Sequence, residues 1–221
     1  MSSELIVLNK PKSVTSEAIR TLRSNLQFTF VDKKKNVLMV TSSMPGEGKS
    51  FISSNLGVAF ALTNTKVLLI DCDLRKGRNK SIFKLSTDKG LSDLLLDEVK
   101  EYKKYIEKTE VKNLSVLPKG TVPPNPSELL GSNKCMELIN LLKSDYDLII
   151  LDCPPLNCVT DTLVLTPVID EAVIVCSYKK TPIELLKSSK KALENANAKI
   201  AGVVMNNLDS KSNSYYSEYY K

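Results

Sequence analysis

The sequence predicts a single α/β domain with a doubly wound, mainly parallel sheet, and three observations carry this prediction. The candidate strands are short continuous apolar runs, which is typical of strands buried on both faces. Segments with helical periodicity separate them, so that strands and helices alternate along the chain. Polar or charged residues follow several strands at their carboxyl ends, where folds of this class bind ligands. We therefore expect the functional site at that edge of the sheet.

Length and composition fit one domain of ordinary globular type. The chain has 221 residues, of which 42% are hydrophobic and 25% are charged. We predict a domain over residues 1–208 and a flexible tyrosine-rich tail over 209–221, because the tail lacks apolar periodicity. The net charge of +6 comes from lysines spread along the chain without interleaved aromatic residues, so we expect no nucleic-acid partner. No apolar run approaches the roughly 20 residues that span a bilayer, and we expect membrane association only through a partner.

The cysteine and histidine content excludes several kinds of chemistry. The five cysteines show no metal-type spacing, and their odd number without a disulfide framework suits a reducing cytoplasm. Cys72, Cys153 and Cys176 lie in or beside apolar strands, where cysteine serves as a small hydrophobic residue. Because the chain has no histidine, a histidine base, a Ser-His-Asp triad and a histidine-ligated metal are excluded. Catalysis must depend on carboxylates, lysine, arginine and a cation held by oxygen atoms.

The predicted elements follow one another in a simple order. Residues 1–12 are expected to be extended and peripheral, and residues 14–30 to form a helix with an apolar stripe. A charged stretch spans 97–112, and a loop stiffened by three prolines spans 120–127. Strands are predicted at 37–40, 66–71, 113–117, 146–152, 171–177 and 200–206. Further helices are predicted at 51–62, 91–96 and about 127–144, and a lysine-rich helix is predicted between the last two strands.

The stretch Thr41–Ser50, Thr-Ser-Ser-Met-Pro-Gly-Glu-Gly-Lys-Ser, indicates a phosphate-binding loop between a strand and a helix. The main-chain N–H groups of such a loop and the dipole of the following helix attract an anion. Lys49 is placed to reach the terminal phosphates, and the Ser50 hydroxyl to bind Mg²⁺. A plain Gly/Pro turn would explain Pro45 and Gly46 but not the Gly-Lys-Ser that follows. The candidate nucleotide-binding residues are Ser43, which replaces the usual first glycine, Met44, Pro45, Gly46, Glu47, Gly48, Lys49, Ser50 and Phe51.

Carboxylates follow two of the predicted strands. Asp152 ends an apolar run and precedes Cys-Pro-Pro, which is the Walker B arrangement for binding Mg²⁺, although a lone aspartate at a strand end is as often a cap. Asp71 and Asp73 follow the strand at 66–71, so that one can face the metal or the nucleophile while the other braces the loop. Arg75 either neutralises charge on the transferred phosphoryl group or pairs with Asp73.

In order and spacing, these three motifs resemble the Walker A, A′ and B motifs of bacterial tyrosine kinases. These are cytoplasmic kinases of capsule and exopolysaccharide synthesis, related to the MinD/ParA ATPases, and the chain is similar to the detached kinase subunit of Gram-positive bacteria. Glu17, Arg20 and Arg23 resemble the Glu-x-x-Arg-x-x-Arg oligomerisation helix of this family, and the stretch 122–130 resembles one of its loops. The family's C-terminal tyrosine cluster corresponds to Tyr215, Tyr216, Tyr219 and Tyr220.

The resemblance implies ATP and Mg²⁺ as cofactors and a role for each site residue. Lys49 would bind the terminal phosphates, and Ser50 and Asp152 would bind Mg²⁺. Asp71 and Asp73 would serve metal coordination and activation of the tyrosine hydroxyl, with Asp71 favoured as the base and as a metal ligand. Arg75 would belong to the catalytic group. Asn206 would contact adenine, although a turn at the end of a strand explains it equally well.

The resemblance also implies partners. The helix at 14–30 would join subunits into a homo-oligomeric ring, whose members phosphorylate one another's tails in trans. A transmembrane activator of the polysaccharide co-polymerase type would recruit the cytoplasmic kinase to the inner face of the membrane. Other proteins would be phosphorylated on tyrosine as substrates.

Two other functions remain open at this point. One is a MinD/ParA-type ATPase switch without kinase activity, and the other is a nucleotide-responsive scaffold with little catalysis. MinD/ParA ATPases carry a signature lysine directly after the first glycine position of the loop, and Met44 occupies that place here. Four of the eight tyrosines lie within the last seven residues, which favours a kinase that modifies its own tail.

Overall fold

In the computed structural model of the chain, residues 2–29 and 36–208 are described. Within these ranges, seven strands form one sheet in the order β3-β4-β2-β5-β1-β6-β7. β3 runs antiparallel to β4, and the other pairs of this sheet are parallel. The strands are β1 Asn36–Ser42, β2 Val67–Asp71, β3 Glu107–Lys108, β4 Leu114–Leu117, β5 Leu148–Asp152, β6 Glu171–Ser177 and β7 Ile200–Asn206. The predicted fold class is confirmed.

Helices cover both faces of this sheet. The α-helices are α1 Ile6–Asn9, α2 Val14–Thr29, α3 Lys49–Ala61, α4 Asn79–Phe83, α5 Leu91–Leu96, α6 Pro126–Leu130, α7 Asn133–Leu142 and α8 Ile183–Asn195. Two 3₁₀ helices span Val99–Lys104 and Leu163–Val168. Among the described residues, no helix is long and apolar enough to cross a bilayer.

Alternation along the strands builds two hydrophobic cores, one on each side of the sheet. On β1, Leu38 and Val40 join the core under α1 to α4, whereas Val37 and Met39 join the core under α5 to α8. Both faces of the central strands are therefore buried, which explains why their sequences are continuously apolar. Cys72, Cys153 and Cys176 are buried free thiols, in agreement with their expected packing role, and Cys135, for which no role was predicted, is buried as well.

The prediction for the N-terminus is wrong. Residues 6–9 form α1, and Leu5 and Val7 are buried in the core. The Val7 N–H donates to Asn55 Oδ1 at 3.1 Å, and Asn55 Nδ2 donates to Glu4 O at 2.8 Å. A helix this short is stabilised by tertiary contacts rather than by its own helix propensity, so hydrophobic periodicity in the sequence does not predict it.

The predicted helix over 127–144 is two helices rather than one. α6 ends at Leu130, and α7 begins at Asn133 after Gly131 and Ser132. The Ser132 hydroxyl accepts a hydrogen bond from the Cys135 N–H at 3.2 Å, so it caps α7 as serine commonly does. The charged stretch 97–112 also contains ordered elements, namely the first 3₁₀ helix and β3.

The order of the strands gathers the predicted site residues. β5 lies between β1, which leads into the phosphate loop, and β2, which leads to the other acidic motif. Asp71 and Asp152 are direct partners in the register of β2 and β5. Two carboxylates that are 81 positions apart in sequence thus lie side by side at the carboxyl edge of the sheet.

Candidate nucleotide-binding site

The loop between β1 and α3 has the backbone conformation that a phosphate cradle requires. Gly46 and Gly48 have φ angles of 78° and 92°, in the left-handed region that favours glycine. A Cβ at Gly48 would overlap the Asn206 amide, so glycine is also required there for space. The 13-residue helix α3 begins at Lys49, and its N-terminus faces the loop. Unpaired N–H groups and the helix dipole therefore favour an anion at this place.

The Glu47 carboxylate holds the first half of the loop in place. Its Oε2 accepts hydrogen bonds from the main-chain N–H groups of Ser43 and Met44, both at 2.8 Å. Its Oε1 accepts from the Thr181 hydroxyl, which lies in the turn between β6 and α8. Glu47 is 2% exposed, so these bonds are protected from water. The buried Glu47 side chain thus fixes the backbone of the loop.

Ser43, at the position of the usual first glycine, is buried and fully engaged. Its carbonyl oxygen accepts from Asn157 Nδ2 at 3.1 Å, and its hydroxyl accepts from the Ser189 hydroxyl at 3.0 Å. Asn157 Nδ2 also donates to Ser189 Oγ at 2.8 Å. The hydroxyl that replaces glycine is therefore accommodated by partners on α8 and after β5, rather than by the nucleotide.

Lys49 lies among three carboxylates. Its ammonium nitrogen is 2.8 Å from Asp73 Oδ2 and 3.7 Å from Asp152 Oδ1. Although burial alone lowers the pKa of Lys49, the negative charges of Asp152 and Asp73 outweigh it and hold that pKa above its usual value. Lys49 therefore stays charged, as a group that binds phosphate must.

The two registered carboxylates are buried next to each other. Burial is the largest cause that raises the pKa of Asp71, and the charge of Asp152 raises it further, to about 8. Burial also raises the pKa of Asp152, with the Lys49 ammonium opposing the shift. Each carboxylate keeps one buried oxygen, Oδ1, that has no hydrogen-bond partner among the described residues. Such atoms are rare in folded proteins and indicate a missing ligand.

Asn79 and Gly77 belong to this site, and the sequence analysis missed both. The Asn79 N–H donates to Asp71 Oδ2 at 3.0 Å, and its Nδ2 donates to Asp152 Oδ2 at 3.0 Å. A Cβ at Gly77 would overlap the Asp71 carboxylate. Neither residue carries a motif, because an asparagine at the start of a helix is an ordinary cap. Only the pairing of β2 with β5 shows what they contact.

The two carboxylate Oδ1 atoms that lack a hydrogen-bond partner suit a hard divalent cation. No group of three or more histidine, cysteine, aspartate or glutamate side chains that could hold a metal is found within residues 2–29 and 36–208. Magnesium commonly binds through one or two carboxylates together with phosphate and water, so such a group is not needed. Asp71 Oδ1, Asp152 Oδ1 and the Ser50 hydroxyl beside Lys49 supply the oxygen donors that this mode requires.

Arg75 pairs with Asp161 rather than with Asp73, the partner that the sequence offered. The Arg75 Nε and Nη2 donate to the two oxygens of Asp161 at 3.0 and 3.2 Å. Asp161 is fully buried and also accepts from the Ser127 hydroxyl of the proline-rich loop. The guanidinium of Arg75 is 44% exposed at the margin of the site, so its catalytic role stays a prediction.

A cavity of about 420 Å³ opens in front of the loop. It is lined by Pro45, Gly46, Gly48, Lys49, Ser50, Phe51, Asp73, Arg75, Lys76, Arg78, Pro154, Pro155, Cys158 and Val159. Of the predicted nucleotide-binding residues, Ser43, Met44, Glu47 and Asn206 lie outside this lining. Asn206 Nδ2 donates to Glu47 O at 3.0 Å, so in this structure Asn206 braces the loop. Its contact with adenine stays a prediction.

The chain is similar to known proteins along nearly its whole length. A family model described as an AAA domain matches residues 35–202. The putative tyrosine-protein kinase CapB of Staphylococcus aureus is 39% identical over 218 residues, which cover 99% of this chain and 95% of CapB. The tyrosine-protein kinase YwqD of Bacillus subtilis is 39% identical over 219 residues, covering 99% and 92% of the two chains. The chain belongs to the bacterial tyrosine-protein kinase family.

Solved structures agree with this family assignment. The chimerical protein CapA2B2 superimposes on this kinase with a TM-score of 0.88 at 38% identity, over 95% of this chain and 92% of that one. The MinD protein of Pyrococcus horikoshii, solved with Mg-ADP, gives a TM-score of 0.64 at 25% identity, over 77% and 70% of the two chains. The kinase therefore has a nucleotide-binding P-loop fold.

The predicted oligomerisation residues lie on α2 of the kinase. Arg20 pairs with Glu17 one turn away and donates to Pro11 O at 2.8 Å. Arg23 reaches Ala59 O on α3 at 3.5 Å, and its buried Nε has no hydrogen-bond partner among the described residues. A contact between subunits at these residues stays a prediction. The predicted phosphorylation sites Tyr215, Tyr216, Tyr219 and Tyr220, like Phe30 at the end of the predicted helix, lie outside the described residues.

Proposed function

We propose that this chain transfers the terminal phosphoryl group of ATP to tyrosine hydroxyls of proteins. One observation carries the proposal beyond family membership. Lys49 meets Asp73 and Asp152 at the N-terminus of α3, with Asp71 adjacent, so a cation and three carboxylates surround the place where a phosphate chain would lie. Phosphoryl transfer depends on positioning and on electrostatic stabilisation, and this cluster supplies both.

Each residue has a role that its surroundings support. Lys49 exchanges its carboxylate partners for the terminal phosphates and neutralises charge that develops on them. Ser50, Asp152 and Asp71 would hold Mg²⁺, which would supply positive charge to neutralise the phosphates. Asp71 is favoured as the base for the tyrosine hydroxyl, because Asp73 is committed to Lys49 and to the Lys76 N–H.

The tail and the partners belong to the proposal as well. We infer that Tyr215, Tyr216, Tyr219 and Tyr220 are phosphorylated in trans within a homo-oligomeric ring assembled through α2. We further infer that a transmembrane activator of the polysaccharide co-polymerase type recruits the kinase to the inner face of the membrane, where it regulates capsule or exopolysaccharide synthesis. A relative from Klebsiella pneumoniae, 33% identical, is described as a putative tyrosine-protein kinase in the cps region, which supports this context.

The second candidate, an ATPase switch of the MinD type, is favoured only by the shared fold. At the position of the signature lysine, Met44 donates its N–H to Glu47 and offers no cation to a partner subunit. The test is to incubate the purified chain with Mg-ATP, alone and with a membrane activator, and to measure phosphotyrosine. We expect phosphotyrosine in the wild type and none in Lys49→Met. ATP hydrolysis without any phosphotyrosine would favour the switch.

A further inference from the structure

Asn79 contacts three functional segments although it does not line the phosphate cavity. It is fully buried at the start of α4. Its main-chain N–H and its amide hold Asp71 and Asp152, as described above, and its Oδ1 accepts a hydrogen bond from the Ser54 hydroxyl at 3.0 Å. Ser54 is also fully buried and lies on α3, the helix that begins in the phosphate loop. The Asn79 side chain thus connects the loop helix to Asp152, and its main-chain N–H holds Asp71.

The Asp152 carboxylate determines which way the Asn79 amide faces. Because an ionised carboxylate can only accept, the NH₂ group must face it and donates to Oδ2, and the Asn79 Oδ1 then accepts from the Ser54 hydroxyl. The Asn79 N–H occupies Oδ2 of Asp71 in the same way. The oxygen left over on each carboxylate is Oδ1, and these are the two buried carboxylate oxygens without a hydrogen-bond partner in the described part of the chain.

We propose that Asn79 is a positioning residue that holds one oxygen of Asp71 and one of Asp152, so that the other oxygen of each faces the metal ion of the bound nucleotide. The inference rests on the proposed function and deepens it, because it names what orients the metal-binding carboxylates. In metal sites, residues that do not bind the metal themselves orient the metal ligands through hydrogen bonds. Removing such a residue typically lowers metal affinity or activity about 10- to 100-fold.

A purely structural role for Asn79 makes a different prediction. A buried asparagine with three hydrogen bonds stabilises its surroundings wherever it lies, and removing it would weaken the binding of nucleotide with and without metal alike. Asn55 is the control, because it is also fully buried and its side chain makes three hydrogen bonds, with Val7 N, Glu4 O and Phe51 O, one more than the Asn79 side chain makes. Its partners lie away from the carboxylates.

The test measures how much Mg²⁺ strengthens ADP binding, with a fluorescent ADP titrated in excess Mg²⁺ and in excess chelator. We expect Asn79→Leu to bind metal-free ADP within about twofold of the wild type and to lose at least tenfold of the Mg²⁺ enhancement. Ser54→Ala, which leaves the amide in place but removes one of its two side-chain hydrogen bonds, should lose a smaller part. Asn55→Leu should lower the melting temperature and keep the full enhancement.

The outcomes separate the inference from the proposed function. An unchanged Mg²⁺ enhancement in Asn79→Leu, or a parallel loss with and without metal, overturns the positioning role even if the wild type phosphorylates tyrosine. If the ADP affinity of the wild type is the same with and without Mg²⁺, the metal site itself is refuted. If Asn79→Leu does not fold, Asn79→Ala and Ser54→Ala carry the same comparison, and direct titration of Mn²⁺ into their ADP complexes reports the metal affinity.

Discussion

At the scale of single residues, the loop is held by its own glutamate. The Glu47 carboxylate accepts two main-chain N–H groups and a hydroxyl in a place that water does not reach. A phosphate loop needs a fixed backbone before the nucleotide arrives, since ordering it on binding would reduce affinity. Glu47 therefore acts on nucleotide binding without lining the cavity.

We predict that Glu47→Ala weakens ADP binding even in the absence of Mg²⁺. The N–H groups of Ser43, which is buried, and of Met44, which is partly buried, would lose their acceptor. The loss costs about 1–3 kcal/mol for a buried unsatisfied group and less for a partly exposed one. Glu47→Gln keeps one acceptor oxygen and should lose less. Denaturant unfolding and ADP titration check both variants, and wild-type affinity in Glu47→Ala would show that the loop is braced by other contacts.

The sequence predicts most of the residues that meet at the candidate site but not the residues that hold them in place. Lys49, Asp71, Asp73 and Asp152 lie in motifs whose chemistry requires those residue types, and the structure brings them together. Asn79 was missed because its contact with Asp152 depends on the pairing of β2 with β5, which no local pattern encodes. For Arg75 the sequence offered Asp73, two positions away, but Asp161 lies across the fold.

At the scale of elements, the sequence predicts continuous apolar strands well and very short elements poorly. A continuous apolar run such as β5 predicts a strand with both faces buried, because only such a strand buries all of its side chains. α1 and β3 have four and two residues, so tertiary contacts determine them. The break between α6 and α7 occurs where Ser132 caps α7. The apolar periodicity continues across this break, so it predicted one helix.

The start of α5 gives a prediction with a pH dependence. Asp93 accepts hydrogen bonds from the N–H groups of Gly90 at 2.8 Å and Thr121 at 3.1 Å, and from the Thr121 hydroxyl at 2.8 Å. Burial alone raises the pKa of Asp93, but these hydrogen bonds outweigh it and lower the pKa below its ordinary value. The ionised form therefore stabilises the folded state above the ordinary pKa of an aspartate, and this contribution disappears as the pH falls through the lower folded value.

We accordingly expect Asp93→Asn to lower the free energy of unfolding by about 1 kcal/mol at pH 7, a modest figure because the carboxylate is partly exposed. The difference from the wild type should shrink as the pH falls below about 4. Asp88→Asn is the control, since the Asp88 side chain is 96% exposed, and it should change little at any pH. A difference for Asp93→Asn that does not depend on pH would contradict the assignment.

The polar face of α2 gives the second prediction at this scale. The Glu17–Arg20 pair within the helix contributes only a few tenths of a kcal/mol, so the folded monomer gains little from it. If α2 joins subunits, Arg20→Ala combined with Arg23→Ala should shift the protein to monomer in light scattering while the melting temperature changes little. Lys104→Ala, which breaks another exposed pair one turn apart, should keep the mass of the wild type. An unchanged mass in the double variant would refute the interface.

At the scale of the whole molecule, the structure bears on how the tail can reach a site. Residues 209–221 follow β7, an edge strand whose Asn206 contacts the phosphate loop. Thirteen residues extend at most about 45 Å, so reach alone permits phosphorylation of the subunit's own tail as well as of a neighbour's. The preference for trans transfer therefore rests on the family resemblance and needs a direct test.

Mixed subunits provide that test. A Lys49→Met subunit that keeps Tyr215, Tyr216, Tyr219 and Tyr220 is combined with an active subunit in which all four are phenylalanine. Phosphotyrosine on the inactive subunit is the expected result, and its absence would refute transfer in trans.

The charge of the tail should also control assembly. Four phosphotyrosines add roughly −6 to −8 at neutral pH, against a formal charge of +6. Phosphorylated tails are repelled by the acidic residues of a neighbour's site, so native mass spectrometry should show large oligomers for Lys49→Met and monomers for the fully phosphorylated kinase. Equal masses for the two forms would contradict this account.

The central claim is that this site passes the terminal phosphoryl group of ATP to tyrosine rather than to water. The most direct measurement follows γ-labelled ATP through a single turnover with its activator and divides the label between phosphotyrosine and free phosphate. The account predicts that most of the label appears on tyrosine, and that Lys49→Met and Asp152→Asn transfer little to either acceptor. Label that appears almost entirely as free phosphate, with tyrosine left unmodified, would contradict it.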